Sequence, residues 1–272
     1  MGDRVAVVTG AGTGIGRAIA VKFGGFGWRV GIGGRRTPLI EESATLVEQA
    51  GGKCAPHRLD VTDPDSVEEF FTAVEAELGP VDIVINNAAT GRYGPLDDFA
   101  PEEIAAEIAT KFTGALYMAR RGIQGMRRTG SGGDILFMTS TSAIQPWPFH
   151  LPYAAASAGV EHAARILRLE LEGTGIRVHV LRCGPTGGTD FGTREQQSGR
   201  MATMTEYWFR RGLLRHTSVM TPDVVADAVA TAVTLPPSHQ YEFMAVEPVA
   251  PVGELPVTFD DYVRSHLQSA PS

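Results

Sequence analysis

The sequence predicts an α/β fold: a single domain on a doubly wound parallel sheet of about seven strands. Two observations predict it. Short β-branched runs alternate with helix-length amphipathic segments from residue 4 to about residue 247. The strand runs are nearly continuously apolar, the pattern of strands covered by helices on both faces. In addition, a glycine-rich turn (Gly10, Gly12, Gly14, Gly16) lies between the first strand and the first helix. Backbone N–H groups and a helix N-terminus at such a turn receive a pyrophosphate.

The strands are expected at Arg4–Thr9, Trp28–Gly34, Lys53–Leu59, Val81–Asn86, Asp134–Ser140, Arg177–Arg182 and Glu242–Val246. Helices are expected at Gly14–Gly27, Pro38–Ala50, Pro64–Leu78, Pro101–Gln124, Pro152–Glu172 and Pro222–Leu235. Five of the six carry a proline in their first turn, where its missing N–H is not needed. The order places a ligand crevice at the carboxyl ends of the strands. Residues 184–220 break the rhythm, with a short helix around Met201–Leu214, and form a candidate substrate lid. The domain therefore runs over residues 1–248, and 249–272 form a Pro-rich tail that wraps the surface or frays.

The chain has 272 residues, 43% hydrophobic and 20% charged, the profile of a folded domain. Its net charge of −7 disfavours a nucleic-acid or anionic-membrane partner. Cys54 and Cys183 are far apart and lack metal-ligand spacing, so neither a disulfide scaffold nor a metal site is expected. With no signal-peptide pattern and no membrane-length apolar run, a cytoplasmic location is expected.

The second strand ends in Gly33-Gly34-Arg35-Arg36, with no acid to accept from a ribose 2′-hydroxyl. Two guanidinium groups suit a 2′-phosphate instead, which favours NADP(H) over NAD(H).

The motif Thr9-Gly10-Ala-Gly-Thr13-Gly14-Ile15-Gly16 resembles that of the short-chain dehydrogenase/reductase family, a Rossmann fold. Three further segments are similar to family motifs, in the family's order. Leu59-Asp60-Val61 is similar to the adenine-binding step. Asn86-Asn87-Ala88-Ala89 is similar to the NNAG motif. Cys183-Gly184-Pro185-Thr186, with Thr189, is similar to the loop at the nicotinamide end. The resemblance implies Tyr153 as proton donor or acceptor, with Ser140 thirteen residues before it polarising a carbonyl. Ser142 is the second candidate for the serine role. The family's lysine is missing: its YxxxK reads Tyr153-Ala-Ala-Ala-Ser157. Its helix asparagine is replaced by Lys111, one of only three lysines with Lys22 and Lys53.

Lys111 can be weighed without the resemblance. Ile104, Ile108, Phe112, Ala115 and Ala119 form an apolar stripe, and Lys111 lies within about 20° of Ile104. A lysine there either snorkels to the surface or is buried and needs a partner. In the second case Lys111 replaces the missing lysine from a neighbouring helix. A positive charge about 5 Å from a phenol, at an effective dielectric near 20, is worth roughly 3 kcal/mol, about two pKa units. Without that help a tyrosine stays protonated, which hinders alcohol oxidation more than carbonyl reduction.

The resemblance thus implies an NADPH-dependent carbonyl (keto) reductase for a hydrophobic small molecule, with Trp147, Phe149, Tyr207 and Trp208 as candidate apolar walls. His150, three residues before Tyr153, lines the pocket, donates a proton or is an ordinary loop histidine. The arginine excess fits a secondary-metabolism enzyme by association only. The alternatives are a non-redox lyase, dehydratase or cyclase that binds NADP, or a catalytically silent binding protein. A homodimer or homotetramer is also implied.

Overall fold

Seven parallel strands make one sheet: β1 (Val5–Thr9), β2 (Arg29–Gly34), β3 (Lys53–Arg58), β4 (Ile83–Asn86), β5 (Gly133–Ser140), β6 (Ile176–Cys183) and β7 (Met244–Val246). Their order is β3-β2-β1-β4-β5-β6-β7. The computed structural model describes residues 4–191 and 200–269. Residues 192–199 of the expected lid, and the chain ends 1–3 and 270–272, lie outside the described residues.

β1 is buried along its whole length, because β2 and β4 flank it and helices cover both faces. The helices are α1 (Gly14–Gly24), α2 (Thr37–Gln49), α3 (Pro64–Leu78), α4 (Pro101–Ile108), α5 (Gly114–Thr129), α6 (Leu151–Glu170), α7 (Arg200–Arg210), α8 (Pro222–Val233) and α9 (Phe259–Ser269). On one face Ile19 and Phe23 of α1, Ile40 and Val47 of α2, and Val225 and Val229 of α8 close over the strands. On the other, Phe70, Phe71 and Val74 of α3, Met118 of α5, and Val160 and Ala164 of α6 do the same. The winding reverses between β1 and β4, so the crevice opens at Gly10 and Asn87, just past those two strand ends.

Three features depart from the sequence reading. The helix expected at Pro101–Gln124 is two helices joined by a π-turn, Ala109–Thr113, that contains Lys111. The wider turn shifts the helical phase. Ala115 and Ala119 are buried as expected, but Ile108 of the same stripe is 39% exposed. The lid helix is Arg200–Arg210, shorter than expected. Finally, the tail carries α9, whose Phe259 and Tyr262 pack on Phe209 of α7. Among the described residues no helix is long and apolar enough to cross a membrane.

Candidate active site

The phosphate loop is shaped by its glycines. Gly10 and Gly14 have φ of +66° and +54°, which side chains rarely adopt. At Gly16 a Cβ would stand 2.4 Å from the Gly10 carbonyl oxygen, so only glycine lets α1 start this close to the turn. Behind the loop, Thr9 Oγ1 accepts from the Asn87 and Ala88 N–H groups at 3.0 and 2.9 Å. Asn87 Nδ2 donates to the Thr9 carbonyl at 2.9 Å, tying the ends of β1 and β4 together. Arg17, which the sequence reading missed, donates to the Gly12 carbonyl and to Ser43 Oγ. Among the described residues no side chain caps α1, and its first turn holds no acid. Its N–H donors therefore remain for an anion, and the loop fits the pyrophosphate of a dinucleotide.

Asp60 accepts from the N–H and hydroxyl of Thr62, and Arg35 lies near enough to help hold its carboxyl low. Val61 touches the start of α5, where a Cβ on Gly114 would meet its Cγ2 at 2.7 Å. Arg36 is exposed and pairs with Asp190. Pro185 and Thr186 are pinned to Met220 by the bonds Met220 N to Pro185 O and Gly187 N to Met220 O, both 2.9 Å. Thr189 lies against Gly14, and Ile15 packs on the core at the start of α1. The loop residues, Asn87 and Thr189 thus converge on one crevice.

Beyond the crevice, β5 delivers Ser140 and α6 delivers Tyr153 and Ser157. Ser142 Oγ donates to Ser140 Oγ at 2.9 Å, so the two candidate serines act as a pair. Tyr153 is buried. Burial, with Cys183 and Tyr93 nearby, lifts its hydroxyl above the ordinary phenol range, while Ser157 and Ser140 work in the opposite direction. Ser157 is fully buried, next to the Tyr153 hydroxyl.

Lys111 is 3% exposed, which excludes snorkelling. Its partner is not a carboxylate. Nζ donates to the Met138 carbonyl at 2.7 Å and lies 5.4 Å from the centre of the Tyr153 ring. β4 ends opposite Phe137, so β5 has no strand on that side at Met138. Burial pushes the ammonium down to about 8, with Cys183 opposing. Lys22 and Lys53, by contrast, bond to Asp227 and to the Glu77 carbonyl on the surface.

His150 stacks on Tyr153 with centroids 4.6 Å apart and planes at 13°. Burial pushes its pKa down to about 3, so the ring is neutral. Trp208 is buried against Trp147 and Tyr93, and Phe149 meets Tyr207. Tyr93 and Phe191, absent from the expected wall, complete it: Phe191 lies 4.9 Å from Tyr153 and 5.6 Å from His150 between ring centres. Their place depends on loops that meet only in three dimensions. Glu161, a turn beyond Ser157, accepts from Thr139 Oγ1 at 2.9 Å and from Arg182 Nη2 at 2.7 Å. It thereby clamps α6 to the ends of β5 and β6.

The short chain dehydrogenase family model matches residues 4–199. The chain belongs to the short-chain dehydrogenase/reductase family. It is 36% identical over 191 residues to an uncharacterized oxidoreductase of Caenorhabditis elegans, covering 68% of this chain and 60% of that protein. The chain spans 40–60% of the length of the first curated relatives it matches. Its structure is similar to the closed form of a serine dehydrogenase complexed with NADP+, with a TM-score of 0.77, 28% identity and coverage of 93% and 95% of the two chains. It is also similar to a variant of actinorhodin polyketide ketoreductase with NADPH, with a TM-score of 0.80, 25% identity and coverage of 90% and 95%.

Proposed function

We propose that the chain is an NADPH-dependent carbonyl reductase for a hydrophobic ketone. The observation that carries this reading is Tyr153: a buried phenol beside a serine pair, with the Lys111 ammonium 5.4 Å from its ring centre and the Phe191 ring against it. A phenol so placed can give its proton to a carbonyl oxygen as hydride adds to the carbon, and the nearby ammonium offsets the weaker acidity that burial imposes. The ketoreductase neighbour with NADPH supports the same direction.

The cofactor is held by the Gly10–Gly16 loop, Asp60, Val61, Asn87, Ala88 and the segment Pro185, Thr186 and Thr189, with Arg35 and Arg36 at the 2′-phosphate. When bound, it supplies a hydride to the carbonyl carbon. Ser140 hydrogen-bonds the carbonyl oxygen, and Tyr153 gives that oxygen its proton. Lys111, mostly charged at pH 7 with a pKa of about 8, eases the negative charge left on Tyr153. It does from the π-turn what Ser157 cannot do from α6.

The test is NADPH and NADH titration by fluorescence, with NADPH oxidation followed against a panel of aromatic and polycyclic ketones. NADPH binds more tightly, and Arg36→Ala erodes the difference. Tyr153→Phe binds NADPH like wild type and loses about 10²- to 10⁴-fold in turnover. Wild-type turnover by Tyr153→Phe overturns the reading.

A further inference from the structure

Three consecutive residues cross the cofactor crevice after the Pro185–Gly187 segment is anchored on Met220. Thr189 rests on the phosphate loop, where a Cβ at Gly14 would stand 3.1 Å from its methyl group. The ring of Phe191 lies over Tyr153 and so close to Gly91 that a Cβ there would overlap it. Between them, one oxygen of Asp190 accepts from Arg36 Nη2 at 2.6 Å and from Thr13 Oγ1 at 3.1 Å. A guanidinium and a hydroxyl converging on one anionic oxygen also suit a phosphate oxygen. The pair is open to water, with Arg36 61% and Asp190 53% exposed, so another anion can exchange with the carboxylate.

We propose that Asp190 is an internal stand-in for the cofactor's 2′-phosphate, holding Arg36 and Thr13 in the free protein and giving them up when NADP(H) binds. This rests on the NADP reading above. The carboxylate is held below its usual range, chiefly by the Arg36 hydrogen bond, so it competes as an anion at every working pH. A ligand with only a ribose hydroxyl carries no anion to compete for Arg36 and leaves the ion pair intact. Asp190 therefore sets how strongly the site discriminates for the 2′-phosphate.

The experiment is calorimetric titration of wild type, Asp190→Asn, Arg36→Ala and the double variant with adenosine 2′,5′-bisphosphate and with adenosine 5′-monophosphate. An exposed ion pair of ordinary strength predicts that Asp190→Asn binds the bisphosphate about threefold more tightly. The monophosphate is unchanged, and the gain disappears in the Arg36→Ala background. Unchanged or weaker bisphosphate binding, an equal gain for the monophosphate, or a gain that persists without Arg36 overturns the proposal. Wild-type indifference to the 2′-phosphate, together with the predicted gain in Asp190→Asn, would sink the NADP reading and leave the Asp190 competition standing.

Discussion

A buried ammonium whose partner is a carbonyl weakens the fold that holds it. Lys111 has a folded-state pKa of about 8, below the ordinary lysine value. Between about 8 and about 10.4 the unfolded chain binds more protons, so this residue's contribution to stability improves as pH rises. Lys111→Met is accordingly expected to match or exceed wild type in urea midpoint at pH 7, with the gap narrowing above pH 8. A midpoint far below wild type at pH 7 would contradict this. The sequence made Lys111 conspicuous through its rarity and its place on the apolar side of its helix. The Met138 carbonyl was not legible, because backbone acceptors carry no residue signature and this one is 27 positions away. Nor was Asp190, whose role exists only because the chain brings it back to Arg36.

At the scale of elements, the strands and most helices were legible because burial on both faces imposes apolar runs and prolines mark helix starts. The π-turn was not, because one widened turn changes the phase without changing the average periodicity. Its consequence is local: it contains the buried Lys111 and hands the helix on to Gly114, against Val61. Adding a methyl there presses on both the Val61 side chain and its carbonyl. Gly114→Ala should cost about 1–3 kcal/mol in urea unfolding and weaken adenine-nucleotide binding through Val61. Wild-type stability and affinity would show that α5 can move without disturbing the cofactor side.

Across the whole molecule, the crevice lies at one end of the sheet and a buried charge cluster at the other. Asp134 is fully buried at the start of β5, paired with Arg4 at 2.6 Å, Arg177 at 2.7 Å and His179 at 2.9 Å. Burial alone would raise its pKa, but the His179 and Arg177 hydrogen bonds and the Arg4 charge hold it below the carboxylate range. Its stabilisation is therefore present above the unfolded carboxyl value of about 3.9 and is lost as pH falls through the lower folded value. Asp134→Asn should cost about 3 kcal/mol at pH 7, by leaving two partly buried arginines and the buried His179 without their counter-charge. A loss under about 1 kcal/mol in urea titration would contradict that. None of this touches turnover, which depends on the other end of the sheet. There, the most direct measurement is the pH dependence of kcat for wild type and Lys111→Met with a reducible ketone. The account predicts that wild-type kcat falls as pH rises through about 8, while Lys111→Met is at least tenfold slower at pH 7 and lacks that limb. A Lys111→Met enzyme with wild-type kcat and the same pH profile would show that the buried lysine has no part in the chemistry.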